Sequence, residues 1–188
     1  GLEYGSKFFT TEFFGGRLLS EYKNKLDPAK LSHLLEEIIA TLYYLHQSNY
    51  IYNDLKPENI LVEEEDGMLS VKFIDFGLII DRNSELNPLI SGTMEYIAPE
   101  RLQKKAFDHR IDFYSLGIII YLMIYGEYPF RAKDDLEIFR AHVNEEFIFP
   151  EAEGFEMFID LAKILLKKDP RNRMFSSLEI FRALRIDI

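Results

Sequence analysis

The sequence predicts a mainly helical domain with a few short strands gathered near residue 60. Three observations lead there. Apolar residues recur at helical spacing over 31–45 (Leu31, Leu34, Leu35, Ile38, Ile39, Leu42, Leu45). Everything after Pro99 divides into four further helix-like stretches, at 110–125, 134–142, 155–167 and 176–185, separated by Pro and Gly. Strand-like alternation appears only at 69–74, beside short strand-like runs at 50–52 and 60–63.

Element by element, KFFTTEFF (7–14) reads as a strand by its aromatic and Thr content, ended by Gly15-Gly16. Asp27-Pro28 supplies a helix N-cap and a first-turn proline, so a helix is expected from there to about Gln47. Short strands follow at 50–52, 60–63 and 69–74, the last two joined by a turn at Glu65-Asp66-Gly67. Residues 75–100, with Pro88 and no clear period, predict a long functional loop.

The 188 residues are 47% hydrophobic, enough for one domain with its own core. The net charge of -10 argues against nucleic acid as a partner, because phosphate backbones select clustered Lys and Arg. With no Cys there is no disulfide scaffold and no thiolate metal site, which suits a cytoplasmic setting. The most apolar run, LGIIIYLMIY (116–125), is about half the length of a membrane span and reads as a buried helix. Gly1 in place of Met predicts a piece of a longer or processed protein.

The chemistry concentrates in IYNDLKPENILV (51–62), where Asp54, Lys56, Glu58 and Asn59 share one loop. Asp75 ends the alternating run Val71-Phe73-Asp75, with Gly77 just beyond. Pairing the strands at 60–63 and 69–74 would carry Asn59 and Asp75 to the same end of a hairpin. A carboxylate and an amide oxygen there suit a hard cation such as Mg²⁺. Asp54 is then free to accept a proton from a hydroxyl, and Lys56 to neutralise a phosphoryl group. His33, His46, His109 and His142 have no acidic partner at metal spacing and read as surface or cap residues. The acidic run 63–66 reads as a solvated turn.

In this order and spacing the residues resemble the eukaryotic protein kinases. Tyr52-Asn53-Asp54-Leu55-Lys56-Pro57-Glu58-Asn59 is similar to the kinase catalytic loop, Asp75-Phe76-Gly77 to D-F-G, and Ala98-Pro99-Glu100 to A-P-E. GTMEYIAPE (92–100), DFYSLG (112–117) and KKDPRNRM (167–174) extend the match. The resemblance implies a kinase C-terminal lobe at 15–188, with residues 1–14 as the last N-lobe strand and hinge. By it, Asp54 is the catalytic base, Asn59 and Asp75 hold Mg²⁺, and Lys56 with Thr93 steadies the γ-phosphate of ATP. Leu61 floors the adenine pocket, and Glu12 and Phe14 offer the backbone groups that read the adenine edge. Glu58 contacts a protein substrate. Glu100 and Arg173 form a buried ion pair, and Asp112 braces the catalytic loop. Tyr52 and Phe76 stack in an internal hydrophobic column. Lys56 and the Gly92-Thr93 pair resemble serine/threonine kinases, and the stretches at 129–139 and 145–150 the AGC group.

Departures from that pattern carry expectations of their own. Asn53 stands where most relatives have the Arg that grips an activation-loop phosphate, and Leu89 where many have the phosphorylated Thr. Before Gly92 the loop's hydroxyl residues are Ser84 and Ser91, so activity is expected without loop phosphorylation. Arg17 and Leu122 replace acids that read basic substrates, leaving Glu58. Neither the Gly-rich phosphate lid nor the Lys–Glu pair is present, so an N-lobe partner is expected to complete the ATP site. The alternative is a pseudokinase-like binding or regulatory module, with the Phe8, Phe9, Phe13 and Phe14 side covered by another partner.

Overall fold

The computed structural model describes residues 12–84 and 92–186, and the backbone of two short strands before them, β1 (Leu2–Glu3) and β2 (Ser6–Lys7). These two pair antiparallel with each other. The rest of the strand expected over 7–14 falls on residues outside the described set (8–11) or on irregular chain (12–14), and Leu89 and Ser91 likewise lie outside the described residues.

Then follow β3 (Arg17–Leu18), α1 (Pro28–Gln47), β4 (Tyr50–Ile51), β5 (Ile60–Glu65), β6 (Met68–Phe73) and β7 (Ile80–Asp81). The short α2 (Pro99–Leu102) leads into α3 (Arg110–Tyr125), α4 (Asp135–Asn144), α5 (Glu156–Leu165) and α6 (Ser177–Ala183). All five long helices stand within about two residues of their expected ends.

Local chemistry accounts for the starts. The Asp27 carboxylate accepts from the Lys30 amide at 2.8 Å, one of the four donors a helix N-terminus leaves over, and Pro28 lacks a donor to satisfy. Asp134 caps α4 in the same way, accepting from the Glu137 amide at 2.9 Å. Gly126 ends α3 in the left-handed conformation, with φ of 77°.

α3 is the axis of the body, with every residue from Ile111 to Ile124 buried. α5 crosses it closely at Gly117, where an added Cβ would sit 2.8 Å from Leu166. A larger residue would push α5 away from the axis. Of the described residues, no helix is long and apolar enough to cross a membrane.

On one side of this body β5 and β6 form the hairpin, in register Ile60↔Phe73, with β3 along its outer edge. α1 packs beneath it. A second small ladder joins β4 to β7, so the chain beyond Asp75 returns to lie beside the entrance of the loop 52–59. That strand lies inside the stretch expected to be loop, since a two-residue ladder leaves no periodic signature.

The surface reading of the histidines is corrected. His46 and His109 are buried with rings 4.9 Å apart, His109 at the α3 N-cap, and His142 is fully enclosed. Only His33 is half-buried, accepting from the Leu69 amide at 3.3 Å. His46 follows Leu42 by four positions and His142 follows Ile138 by four, so each lies on the apolar face of its own helix.

Candidate active site

The loop 52–59 is held from below by one carboxylate. Asp112, on the first turn of α3 and without solvent exposure, accepts from the Asn53 amide at 2.8 Å and the Tyr52 amide at 2.9 Å. His46 reaches the same carboxylate at 2.8 Å. Tyr52 is buried against Phe73, and its hydroxyl donates to the Ile74 carbonyl. Burial, with Asp54, Asp75 and Asp112 nearby, raises its phenol above the usual range, so it acts as a neutral donor. Phe76 meets the Tyr52 ring edge-on at 5.6 Å but remains 49% exposed, so the expected aromatic column is closed at Tyr52 and open at Phe76.

Asn53 and Asp75 both adopt left-handed backbone, with φ of 67° and 63°. Asn and Asp tolerate that region better than other non-glycine residues, because their short polar side chains bond locally. The Asn53 side-chain amide instead reaches across the fold and donates to the Leu78 carbonyl at 3.0 Å. Asp75 accepts from the Gly77 amide at 3.1 Å.

Four of the expected site residues converge in one cluster. The Asn59 side-chain amide donates to the Asp54 carboxylate at 2.8 Å and to its carbonyl at 3.0 Å. Lys56 Nζ lies 3.0 Å from Asp54 Oδ2 and donates to Thr93 Oγ1 at 2.8 Å. The Thr93 amide reaches Asp54 Oδ1 at 3.2 Å. Gly92, with φ of 113°, makes this approach possible: a Cβ there would sit 3.3 Å from Asp54 Oδ1. Asp54 is nearly buried while Lys56 keeps 21% of its side chain exposed, so the cluster opens to solvent on the lysine side.

The hairpin delivers the remaining pair as the spacing predicts. The Ile74 amide donates to the Asn59 carbonyl at 2.9 Å, which ties the residue before Asp75 to Asn59. Asn59 uses its amide nitrogen toward Asp54, which leaves its side-chain oxygen as a hard ligand. Asp75 is exposed. This donor set fits a magnesium ion. Among the described residues no group of three or more His, Cys, Asp and Glu forms a separate metal site.

Leu61, half-buried, lies on the hairpin face opposite Val62 and directly across from Lys72. Glu58 is exposed at the rim, and Glu12 and Phe14 stand at the outer edge of the hairpin, away from the Asp54 cluster. Sequence reasoning missed Lys72. Its Nζ donates to the Glu12 carbonyl at 2.9 Å and lies 5.8 Å from the centre of the Phe14 ring. The expected adenine-reading carbonyl thus already has a donor from its own chain. The alternation of β6 held the signal, since Lys72 shares a face with Leu61 once the register is known.

One further element expected to be structural is in place. Glu100 and Arg173 make a two-pronged pair at 2.6 and 2.7 Å, fully enclosed. Tyr96, three residues past Thr93, is buried and shares a hydrogen bond with the Tyr128 hydroxyl at 3.0 Å.

Comparison with known proteins agrees with this geometry. The family model of the protein kinase domain matches residues 4–182. Protein kinase C eta type from Mus musculus is 32% identical over 179 residues, covering 90% of this chain and 25% of its own length. The same protein from Homo sapiens matches to the same extent. Serine/threonine-protein kinase dkf-2 of Caenorhabditis briggsae is 36% identical over 135 residues, covering 71% of this chain and 11% of its own. The chain therefore spans a quarter or less of the length of these relatives. It belongs to the protein kinase domain family, on its eukaryotic serine/threonine, AGC-like side.

Proposed function

We propose that this chain is the C-terminal catalytic lobe of a serine/threonine protein kinase, which transfers the γ-phosphoryl group of ATP to a protein hydroxyl with an N-terminal lobe completing the nucleotide site. The observation that carries the reading is the convergence of Asp54, Lys56, Asn59 and Thr93 in one hydrogen-bonded cluster. A structural ion pair has no need of an open side, a free amide oxygen and a glycine kept beside the carboxylate.

In this reading Asp54 accepts the proton of the incoming Ser or Thr hydroxyl at Oδ1, next to Gly92. Asn59 and the Thr93 amide hold the carboxylate in place. Lys56 lies between Asp54 and Thr93, where its charge offsets that of the phosphoryl group. Asn59 and Asp75 would hold magnesium, which supplies charge neutralisation on the transferred phosphates. Leu61 packs beneath the adenine, Glu12 and Phe14 present backbone groups to its edge, and Glu58 at the rim contacts the substrate peptide.

On this reading the segment from Asp75 to Asp81 needs no phosphate to hold its place. Asn53 fixes the segment after Asp75 through the Leu78 carbonyl, and β7 adds a ladder to β4. Both supports are neutral and lie within the fold. A Ser84→Ala, Ser91→Ala double variant of the full-length protein is expected to keep most of its activity, and loss of most of it overturns that part.

The deciding test is phosphate transfer from labelled ATP to a Ser/Thr peptide by the full-length protein, with Asp54→Asn beside it. Transfer that vanishes in the variant supports the reading. Nucleotide binding without transfer in the parent protein replaces it with a binding module.

A further inference from the structure

A second cavity, of about 530 Å³, lies in the helical body away from the catalytic cluster. It is walled by the turn after α2, the first residue of α3, the end of α4 and the turn at 168–171. None of Asp54, Lys56, Asn59, Asp75 or Thr93 lines it.

In a chain of net charge -10 this cavity gathers Lys105, Arg110, Lys168 and Arg171. Most of the charge there is already balanced. Arg110 pairs with Asp108 at 2.7 Å, Arg171 with Asp169 at 2.6 Å, and Glu100 with Arg173. Lys105 and Lys168 remain. No carboxylate of the described residues stands within ion-pairing distance of either.

Lys168 is the telling one, because it is half-buried. Its Nζ donates to the Ala141 carbonyl at 3.1 Å and lies 3.6 Å from the centre of the Phe147 ring. Those contacts only partly replace its hydration. Burial pushes its ammonium down to about 8, against the more distant pull of Glu146 and Glu145. A half-buried ammonium without an ion-pair partner is short of an anion, and Lys168 is one of the residues that line the cavity. Arg110 and Arg171 also keep guanidinium hydrogens that their aspartates do not use, set in planar forks suited to oxyanions.

We propose that this cavity binds a phosphate monoester, with Lys168 and Lys105 as its counter-charges. A monoester carries between about 1.5 and 2 negative charges at neutral pH, which matches two unpaired ammoniums. A carboxylate would leave one of them unbalanced. The phosphate could stand on a side chain or be a free anion, and the two sources are separable.

The test uses the full-length protein with ¹³Cε-labelled lysine, titrated with inorganic phosphate and with a phosphoserine peptide while lysine resonances are followed. Saturable shifts of Lys105 and Lys168 are expected, with the Lys168 titration midpoint moving up on binding. Lys168→Gln and Lys105→Gln should each weaken binding about tenfold, and Lys104→Gln, just outside the lining, should leave it unchanged. Tighter binding of the phosphopeptide assigns the site to a phosphorylated side chain. Equal binding of phosphate alone assigns it to the free anion. Absence of a saturable response to both probes, or binding unaltered in Lys105→Gln, overturns the site. Lys105 lies at the exposed wall, so its variant decides even where Lys168→Gln fails to fold. The readout is local to the two lysines, so it stands apart from whether the chain transfers phosphate.

Discussion

Glu100 and Asp54 are both buried carboxylates paired with a cation, yet they are built for different ends. Arg173 meets Glu100 with two parallel bonds and gives its remaining hydrogens to the carbonyls of Lys167, Lys168 and Arg110. Every donor is used and nothing is exposed. Asp54 meets a single-point lysine, shares it with Thr93 and faces a glycine. The first arrangement is saturated and can only hold. The second retains unused bonding capacity at its open side, which the proposed function assigns to a substrate hydroxyl.

The sharpest way to break the comparison is at its saturated end. Arg173→Ala leaves Glu100 buried and uncompensated, so stability should fall by about 3–5 kcal/mol in denaturant unfolding. A loss under 1 kcal/mol would mean that water reaches Glu100 and that the two sites differ less than their geometry indicates. At the open end the effect should appear in rate instead. Asp54→Asn is expected to lower kcat by about 10²–10⁴ with little change in melting temperature. An equal loss of stability would make that cluster structural too.

A pH series separates the helical body from the loop. Burial, followed by the charge of Lys168, depresses the His142 imidazole to about 3, so the folded chain binds fewer protons than the unfolded chain between there and the ordinary 6.5. Stability should therefore drop as pH falls through that window, by at most about 1.4 kcal/mol per unit from this group. Burial of His109 pulls in the same direction. His142→Gln should flatten the slope without removing it, and an unchanged slope would exclude His142 as a source.

The smallest effect lies at the hinge side. Lys72→Met removes the lysine donor from the Glu12 carbonyl, and nucleotide affinity of the full-length protein should rise by about fivefold. Weaker binding would place Lys72 in contact with the nucleotide itself.

Much of the fold was legible because helix formation leaves a local trace. Seven apolar positions in α1 repeat at helical spacing, and Asp27 and Asp134 cap from within their own first turns. The residues of the candidate site were legible for a related reason: Asp54, Lys56 and Asn59 share six positions, so chain connectivity alone keeps them close. Thr93 was placed with them through resemblance, not proximity in sequence.

What was misread depended on distant neighbours. His46 looks like a polar residue near a helix end, but Asp112, sixty-six positions later, receives it. Phe76 looks like core, yet among the described residues its packing is one-sided. Ile80–Asp81 forms a strand because Tyr50–Ile51 is beside it, not through its own pattern.

The sequence by itself determined the helices, the capped start of α1 at Asp27-Pro28, the two strands of the hairpin and the family, since each rests on periodicity or on motifs a few residues long. The tertiary structure alone decided which charges meet. Beyond the Glu100–Arg173 pair and the Asp112 brace that the motifs already implied, it set His46 against Asp112 and Lys72 against the Glu12 carbonyl, and left Lys168 without a counter-ion. Burial and Coulomb energy depend on distances in space, which the folded helices fix and the order of residues does not.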